Sequence, residues 1–257
     1  MVALNNDDEP IITGVSRTAV GSAVGELYVV EMDGIFQSME EVLAHTATLE
    51  DGTEVVIQPN AQPGDVRFVD RNGDGLIDGD DRYVAGSAVP DIEGGLFLSG
   101  NFKAVDFSLG LRGVYGVELF NVAQYWAAPG AGAGILADAE PWTPENPSET
   151  TPRALHGAPA AANNQFGSDR WIEDASYLRV QNIELGYRLP AQAFGRAIGA
   201  PNTSIRIYAS IENALTLTGY SGWDPATPGQ GTLVPAVDDL AIYPSPRTFT
   251  FGIDANF

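Results

Sequence analysis

The sequence predicts an all-β chain organised around about five long antiparallel strands. Three observations carry this reading. Apolar and polar residues alternate over stretches of roughly 10–15 residues, against ~5–6 in most soluble sheets. The connections between those stretches are by turns tight and long. No run of about 18 apolar residues occurs, so no membrane helix is expected, although a strand apolar at every second residue would escape that test. Two architectures fit at this point. One is a portion of a transmembrane β-barrel; the other is a soluble antiparallel sandwich whose apolar faces pack together.

The first strand is read in GGLFLSGNFK, where Leu96, Leu98 and Phe102 oppose Ser99, Asn101 and Lys103. The second, AVDFSLGLRGVYGVEL, sets Val105, Phe107, Leu109, Leu111, Gly113, Tyr115, Val117 and Leu119 against Asp106, Ser108, Arg112 and Glu118. Between them, residues 103–105 leave room only for a tight hairpin. The third stretch, SYLRVQNIELGYRLP, is mixed, with Ile183, Leu185, Tyr187 and Leu189 against Asn182, Glu184 and Arg188. In the fourth, SIRIYASIENAL, Ile205, Ile207, Ala209 and Ile211 alternate with Ser204, Arg206, Tyr208, Ser210 and Glu212. The last, RTFTFGIDANF, is the clearest. Phe249, Phe251, Ile253, Ala255 and Phe257 fall on one face and Thr248, Thr250, Gly252, Asp254 and Asn256 on the other.

Residues 190–202, PAQAFGRAIGAPN, allow a short helix between two prolines, whereas 121–176 and 217–246 are long and rich in turn formers. If 103–105 and 190–202 lie on the periplasmic side, the strands run alternately down and up and Phe257 ends there too. That matches the short-turn, long-loop asymmetry of outer-membrane barrels. Odd-numbered residues of the strands at 105–119, 203–215 and 247–257 would then face lipid, and even-numbered ones the lumen.

Charge narrows the partners. With 34 acidic and 13 basic residues the formal charge is −21, which argues against nucleic acid and against an anionic inner leaflet. There are no cysteines, hence no disulfide or thiolate site. The opening VALNNDDEP has neither the basic nor the apolar region of a secretory leader.

The stretch DRNGDGLIDGDD (70–81) has the spacing of a calcium loop. Asp70, Asn72 and Asp74 take positions 1, 3 and 5, Gly75 the sharp turn, Leu76 a carbonyl position, Asp78 position 9 and Asp81 position 12. Calcium takes six to eight hard oxygens, which this spacing can gather around one ion. The metal-free alternative is a solvated Asn-Gly/Asp-Gly turn. The flanks GDVRFV and RYVAGS read as extended, so a helical sensor is not expected. Enzyme signatures are thin. His45 and His156 are far apart, GYSGW lacks the second glycine of a nucleophile elbow, and acidic pairs such as Glu173/Asp174 and Asp238/Asp239 are expected by chance in so acidic a chain. Tyr115, Tyr125, Trp126, Trp142, Trp171, Tyr220 and Trp223 lie near strand ends or in long connections. There they could form an interfacial girdle, and Trp126, Trp142 and Trp223 could instead stack sugars at a pore mouth.

Seven segments carry a resemblance. They are MDGIFQSMEEV (32–42), PGDVRFVDRNGDGLIDGDDRYVAG (63–86), PDIEGGL (90–96), RGVYGVELFN (112–121), SDRWIEDASYLRVQNIELGYRLP (168–190), RIYASIENALTLTGYSGWDP (206–225) and YPSPRTFTFGIDANF (243–257). In this order they resemble the C-terminal part of SusC/RagA-type TonB-linked outer-membrane transporters. The resemblance implies a barrel of about twenty-two strands with an N-terminal plug. Such a transporter takes up oligosaccharides, peptides or similar nutrients with energy delivered through TonB, under a SusD-like surface lipoprotein. On this reading the chain is a C-terminal, non-enzymatic barrel segment bordered by outer-membrane lipid. Residues 1–92 form an extracellular loop region around the calcium-type loop 70–81, with 16–92 lacking a core of its own. Residues 93–257 carry the barrel strands and loops. The alternative is a secreted calcium-stabilised β-sandwich that binds glycans or proteins.

Overall fold

A computed structural model describes residues 9–127, 139–154, 164, 167–190, 204–227, 229–238 and 243–256. Its contacts divide the chain into two compact units that interleave in sequence. One comprises 1–89, 118–173 and 227–242; the other comprises 90–117, 174–226 and 243–257.

The first unit is made of short pieces. Strands β1 (Ile11–Thr13), β2 (Ser16–Thr18), β3 (Glu26–Val30) and β4 (Met32–Ile35) precede helix α1 (Met39–Ala44), followed by β5 (Thr46–Thr48), β6 (Glu54–Val56), β7 (Val66–Phe68) and β8 (Arg82–Gly86). Strands β1, β2, β3 and β8 form one sheet, and β4–β7 and β5–β6 form two-stranded ladders. Helix α1 starts where Ser38, in extended backbone, accepts the Glu41 amide at 3.2 Å, with Glu40 and Glu41 in the first turn. The expectation that residues 16–92 lack a core is overturned. Val30, Val66 and Phe68 form one buried cluster, and Phe36, Val42 and Ala61 another. Leu27 packs with Phe120, Val122, Trp171, Ala236 and Val237. The first two clusters lie within 16–92, whereas the partners of Leu27 come from segments about a hundred residues or more downstream, beyond the reach of any local pattern.

The second unit is one sheet. Strands β9 (Ile92–Phe102) and β10 (Val105–Tyr115) come first in it; β11 (Glu118–Phe120), helix α2 (Val122–Ala127) and β12 (Ile172–Asp174), which lie almost wholly in the first unit, come next in the chain, β11 and β12 forming a two-stranded ladder. They are followed by β13 (Tyr177–Arg188), β14 (Ser204–Thr218) and β15 (Thr248–Asn256). The sheet order is β15-β14-β13-β10-β9, antiparallel throughout. The five predicted strands are all present. They contain 9–15 residues, whereas the strands of the first unit contain 3–5. A tilted strand needs about 9–11 residues to span a bilayer, and among the described residues only the strands of the second unit are that long.

Two departures have physical causes. The second strand does not run to 119. Gly116 takes φ +75°, and a Cβ there would sit 2.3 Å from the Asp91 carboxylate, so the strand stops at Tyr115. Val117 and Leu119, expected on the lipid face, are buried instead. The mixed pattern of the third strand is a bulge. Leu109 pairs with Ile183 but Leu111 with Val180, so β13 places Gln181 and Asn182 opposite the single Gly110. Apolar parity therefore switches from odd to even below residue 182, and Leu178 and Val180 rejoin the face of Ile183 and Leu185. The tight hairpin is confirmed, with Phe102 paired to Val105 and Lys103 in left-handed backbone at φ 55°. The helix expected at 190–202 lies outside the described residues, except for Pro190.

Candidate functional site

Register decides which side chains share a face. Val105, Phe107, Leu109 and Leu111 of β10 stand opposite Phe102, Gly100, Leu98 and Leu96 of β9. On the other side Phe107 pairs with Leu185, which pairs with Ala209, which pairs with Phe251. One continuous apolar face crosses all five strands. It is uncovered: Phe251 is 81% exposed, Phe102 72% and Ile253 71%. Among the described residues no second sheet packs on this face, as a sandwich would require.

The opposite face is polar and internally connected. The Arg206 guanidinium bonds Asp106 at 2.5 Å, Glu184 at 2.6 Å and Asp254 at 3.1 Å, tying β14 to β10, β13 and β15. Glycine makes the reach possible. A Cβ on Gly186 would meet the Arg206 guanidinium at 2.4 Å and Asp106 at 2.5 Å. Tyr208 likewise lies over Gly252, where a Cβ would fall 2.3 Å from its ring. Ser108 donates to Asn182 at 3.2 Å, and Arg112 bonds Glu93 at 2.6 Å. The polar side chains border a recess of about 690 Å³ lined by Asp106, Ser108, Glu184, Arg188 and Arg206, among others.

At the other end of this face, Arg179 is buried. It donates to Thr216 Oγ1 at 2.9 Å, to Ser245 Oγ at 3.3 Å and to the Asp224 carboxylate. Asp224 also accepts the amides of Ala226 (2.9 Å) and Ser245 (3.0 Å). Burial alone would raise its pKa; the hydrogen bonds from Ala226, Arg179 and Ser245 together outweigh it and hold the carboxyl below its ordinary value. Neither network was singled out from sequence. In the sequence Arg206 reads only as a polar position and Arg179 is assigned to neither face; the register supplies the partners of both.

The calcium-type loop runs between β7 and β8, so its flanks are strands, as the sequence indicated. Asp70 accepts the amides of Gly73 (2.7 Å) and Gly75 (2.8 Å), Asn72 that of Asp74, and Asp74 that of Leu76. Asp78 accepts the Asp80 amide. Asp81 is fully buried and accepts the amides of Arg71 and Asp78, both at 2.8 Å, closing the loop end to end. Gly73 and Gly75 have positive φ, and Gly75 presses on Val55. Among the described residues no three His, Cys, Asp or Glu side chains are gathered as a metal cluster. The oxygens are instead turned onto the loop's own amides.

The remaining candidates resolve one by one. Trp142 and Trp171 are buried, as is Tyr220. Trp142 donates Nε1 to Gln37 at 2.8 Å and packs on Gly64, which corrects its reading as a sugar platform. Trp126 and Trp223 are exposed at 50% and 65%, and Tyr115 stands at the end of the apolar face. Tyr125 is packed edge-on against Trp171. In GYSGW the Tyr220 ring lies over Gly222, a folded turn rather than a nucleophile elbow. His45 packs 5.5 Å from the Phe36 ring, and burial, then Arg67, lowers its pKa. Glu173 accepts from Asn121, and Asp238 is buried. His156 and Asp239 lie outside the described residues.

A long-stranded antiparallel sheet, apolar and uncovered on one face and polar on the other, is part of a transmembrane β-barrel. Comparison with known proteins makes this specific. No family model matches the chain. It is 30% identical to TonB-dependent receptor P26 of Formosa agariphila, over 97% of this chain and 24% of that protein. It is 29% identical to TonB-dependent receptor SusC of Bacteroides thetaiotaomicron, over 79% of this chain and 18% of that one. Among solved structures, the RagAB peptide importer in its "closed-closed" state superposes with a TM-score of 0.62 at 22% identity, covering 93% of this chain. The RagAB peptide transporter gives 0.64 at 21%, covering 98% of this chain. The resemblance to SusC/RagA-type TonB-dependent transporters is thus shown along nearly the whole chain, and its fold is that of part of their barrel. The chain spans about a quarter or less of the length of these relatives.

Proposed function

We propose that this chain is the C-terminal barrel portion of a TonB-dependent importer in the bacterial outer membrane, with no enzymatic role of its own. The observation that supports it best is the register-matched apolar face of β9, β10, β13, β14 and β15, left uncovered while the opposite face is salt-bridged. Lipid satisfies the first and a water-filled lumen the second. In the full-length transporter this portion works with a plug energised by TonB and a SusD-like lipoprotein over the mouth. Its cargo is an oligosaccharide or peptide. Expression of the full-length gene in an outer-membrane-competent host tests this: membrane fractionation should recover a heat-modifiable barrel, and uptake should require TonB. Recovery in the soluble fraction would refute it.

The loop 70–81 is proposed to hold a structural calcium ion through Asp70, Asn72, Asp74, Asp78, Asp81 and the Leu76 carbonyl. Oxygen ligands two and three residues apart along one loop suit a hard cation, and Asp81 already closes the loop. Calorimetry on the assembled full-length protein should show calcium uptake that is abolished in Asp70→Ala/Asp74→Ala. No heat of binding in the wild type would reduce the loop to a metal-free turn.

A further inference from the structure

The two ends of the connection between β14 and β15 come back onto the polar face of the sheet. Arg179 lies on that face, paired across the strands with Arg112 and with Thr216. On the open part of the same face Glu93 and Arg112 keep 50% and 41% of their side chains exposed. Arg179 and Asp224 keep 8% and 6%. What covers them is the chain itself. Asp224 is on the outgoing stem and Ser245 on the returning one, and one guanidinium holds both. The Ser245 amide also donates to Asp224 at 3.0 Å, linking stem to stem, and Asn213 donates to the Pro246 carbonyl at 3.1 Å. Tyr220, folded over Gly222, is buried beside them in sequence, while Trp223 and Tyr243 remain 65% and 81% exposed.

Resting on the barrel reading above, we infer that residues 219–226 and 243–246 form a fixed inward shelf at the extracellular mouth of the lumen, and that Arg179 is the positioning residue that holds it there. A polar face that bounds a lumen can be covered only from inside, so stems seated on Arg179 narrow the passage rather than extend away from it. A bidentate-capable guanidinium buried with a carboxylate and two hydroxyls is a rigid anchor: releasing the Asp224 stem strands a buried charge, and releasing the Ser245 stem leaves both charges short of a hydrogen bond. The shelf thereby limits the size of solute reaching the lumen and presents Trp223 to it from a base that does not move.

The test uses the full-length transporter in outer membranes, with any native cysteines replaced and Trp223→Cys as reporter. A small maleimide should label the reporter, while a bulky polyethylene-glycol maleimide should label it at least about tenfold more slowly. Adding Asp224→Asn or Arg179→Met should collapse that discrimination, because unseated stems no longer hold the reporter inside a narrowed passage. Ser245→Ala, which removes the hydrogen bonds of the Ser245 hydroxyl and leaves the charge pair, should give an intermediate ratio. Uptake should show a changed size cutoff, with KM rising for the native cargo more than kcat falls. Equal labelling by both reagents with Arg179 intact would overturn the inference without needing a destabilised variant. Discrimination unchanged in correctly assembled Arg179→Met barrels would overturn the role of Arg179. Failure to fractionate with the outer membrane would instead count against the barrel reading.

Discussion

Arginine placed at Phe249 and at Thr250 separates the two faces of the sheet with neighbouring positions. Phe249 pairs with Ile211, which pairs with Ile183, which pairs with Leu109, midway along the eleven residues of β10. Its ring is 60% exposed on the apolar face. A cationic side chain near the midplane of a barrel costs about 2–4 kcal/mol, whereas on the lumen face the cost approaches zero. At about 3 kcal/mol, Phe249→Arg lowers the folded-to-unfolded ratio roughly a hundredfold, and Thr250→Arg leaves it nearly unchanged. Urea unfolding of the full-length barrel in vesicles, read by loss of heat-modifiable gel mobility, measures both. Phe251→Arg, two residues nearer the hairpin end, should cost somewhat less than Phe249→Arg. Equal destabilisation at Phe249 and Thr250 would refute the assignment of faces. Arg206 is not a neutral control here, since its removal leaves Asp106, Glu184 and Asp254 without their shared cation.

Three further outcomes follow from the geometry. Gly186→Val should displace Arg206 from Asp106 and cost about 1–3 kcal/mol by overpacking, measured by the same urea midpoint. Lys103→Gly should stabilise the β9–β10 hairpin by about 1 kcal/mol by removing a side chain from left-handed backbone, seen as slower exchange of the hairpin amides. Tyr83, raised to about 12 by burial and by its hydrogen bond to Asp169, favours its neutral form when folded. Its contribution is therefore intact below pH ~10 and lost as pH rises toward 12. Ultraviolet titration should show one late-ionising tyrosine, absent in Tyr83→Phe.

The second unit was legible because a strand writes its faces at every second residue. Phe249, Phe251 and Ile253 announce a face without knowing their neighbours. The bulge at Gln181–Asn182 hid half of β13 because one inserted residue reverses parity, and only pairing with Leu111 shows which residues return to the face. Gly116 ended β10 early through backbone conformation, which an apolar residue count at Val117 and Leu119 cannot register. The first unit carries no such signal. Its strands of 3–5 residues are too short to show a period, and Leu27 is buried by Phe120, Trp171 and Val237 from other parts of the chain. The calcium-type loop shows its spacing in sequence and its strand flanks in structure. The ion pairs of Arg206 and Arg179 had no linear signature, since their carboxylate partners lie 22 to 100 residues away.

Nitroxide labels placed singly along residues 248–254 of the full-length protein in bilayers test the central claim most directly. Accessibility to oxygen, which partitions into lipid, should peak at 249, 251 and 253. Accessibility to a water-soluble nickel chelate should peak at 248, 250, 252 and 254. A flat profile, or oxygen maxima at the even positions, would contradict a barrel wall with its apolar face to lipid.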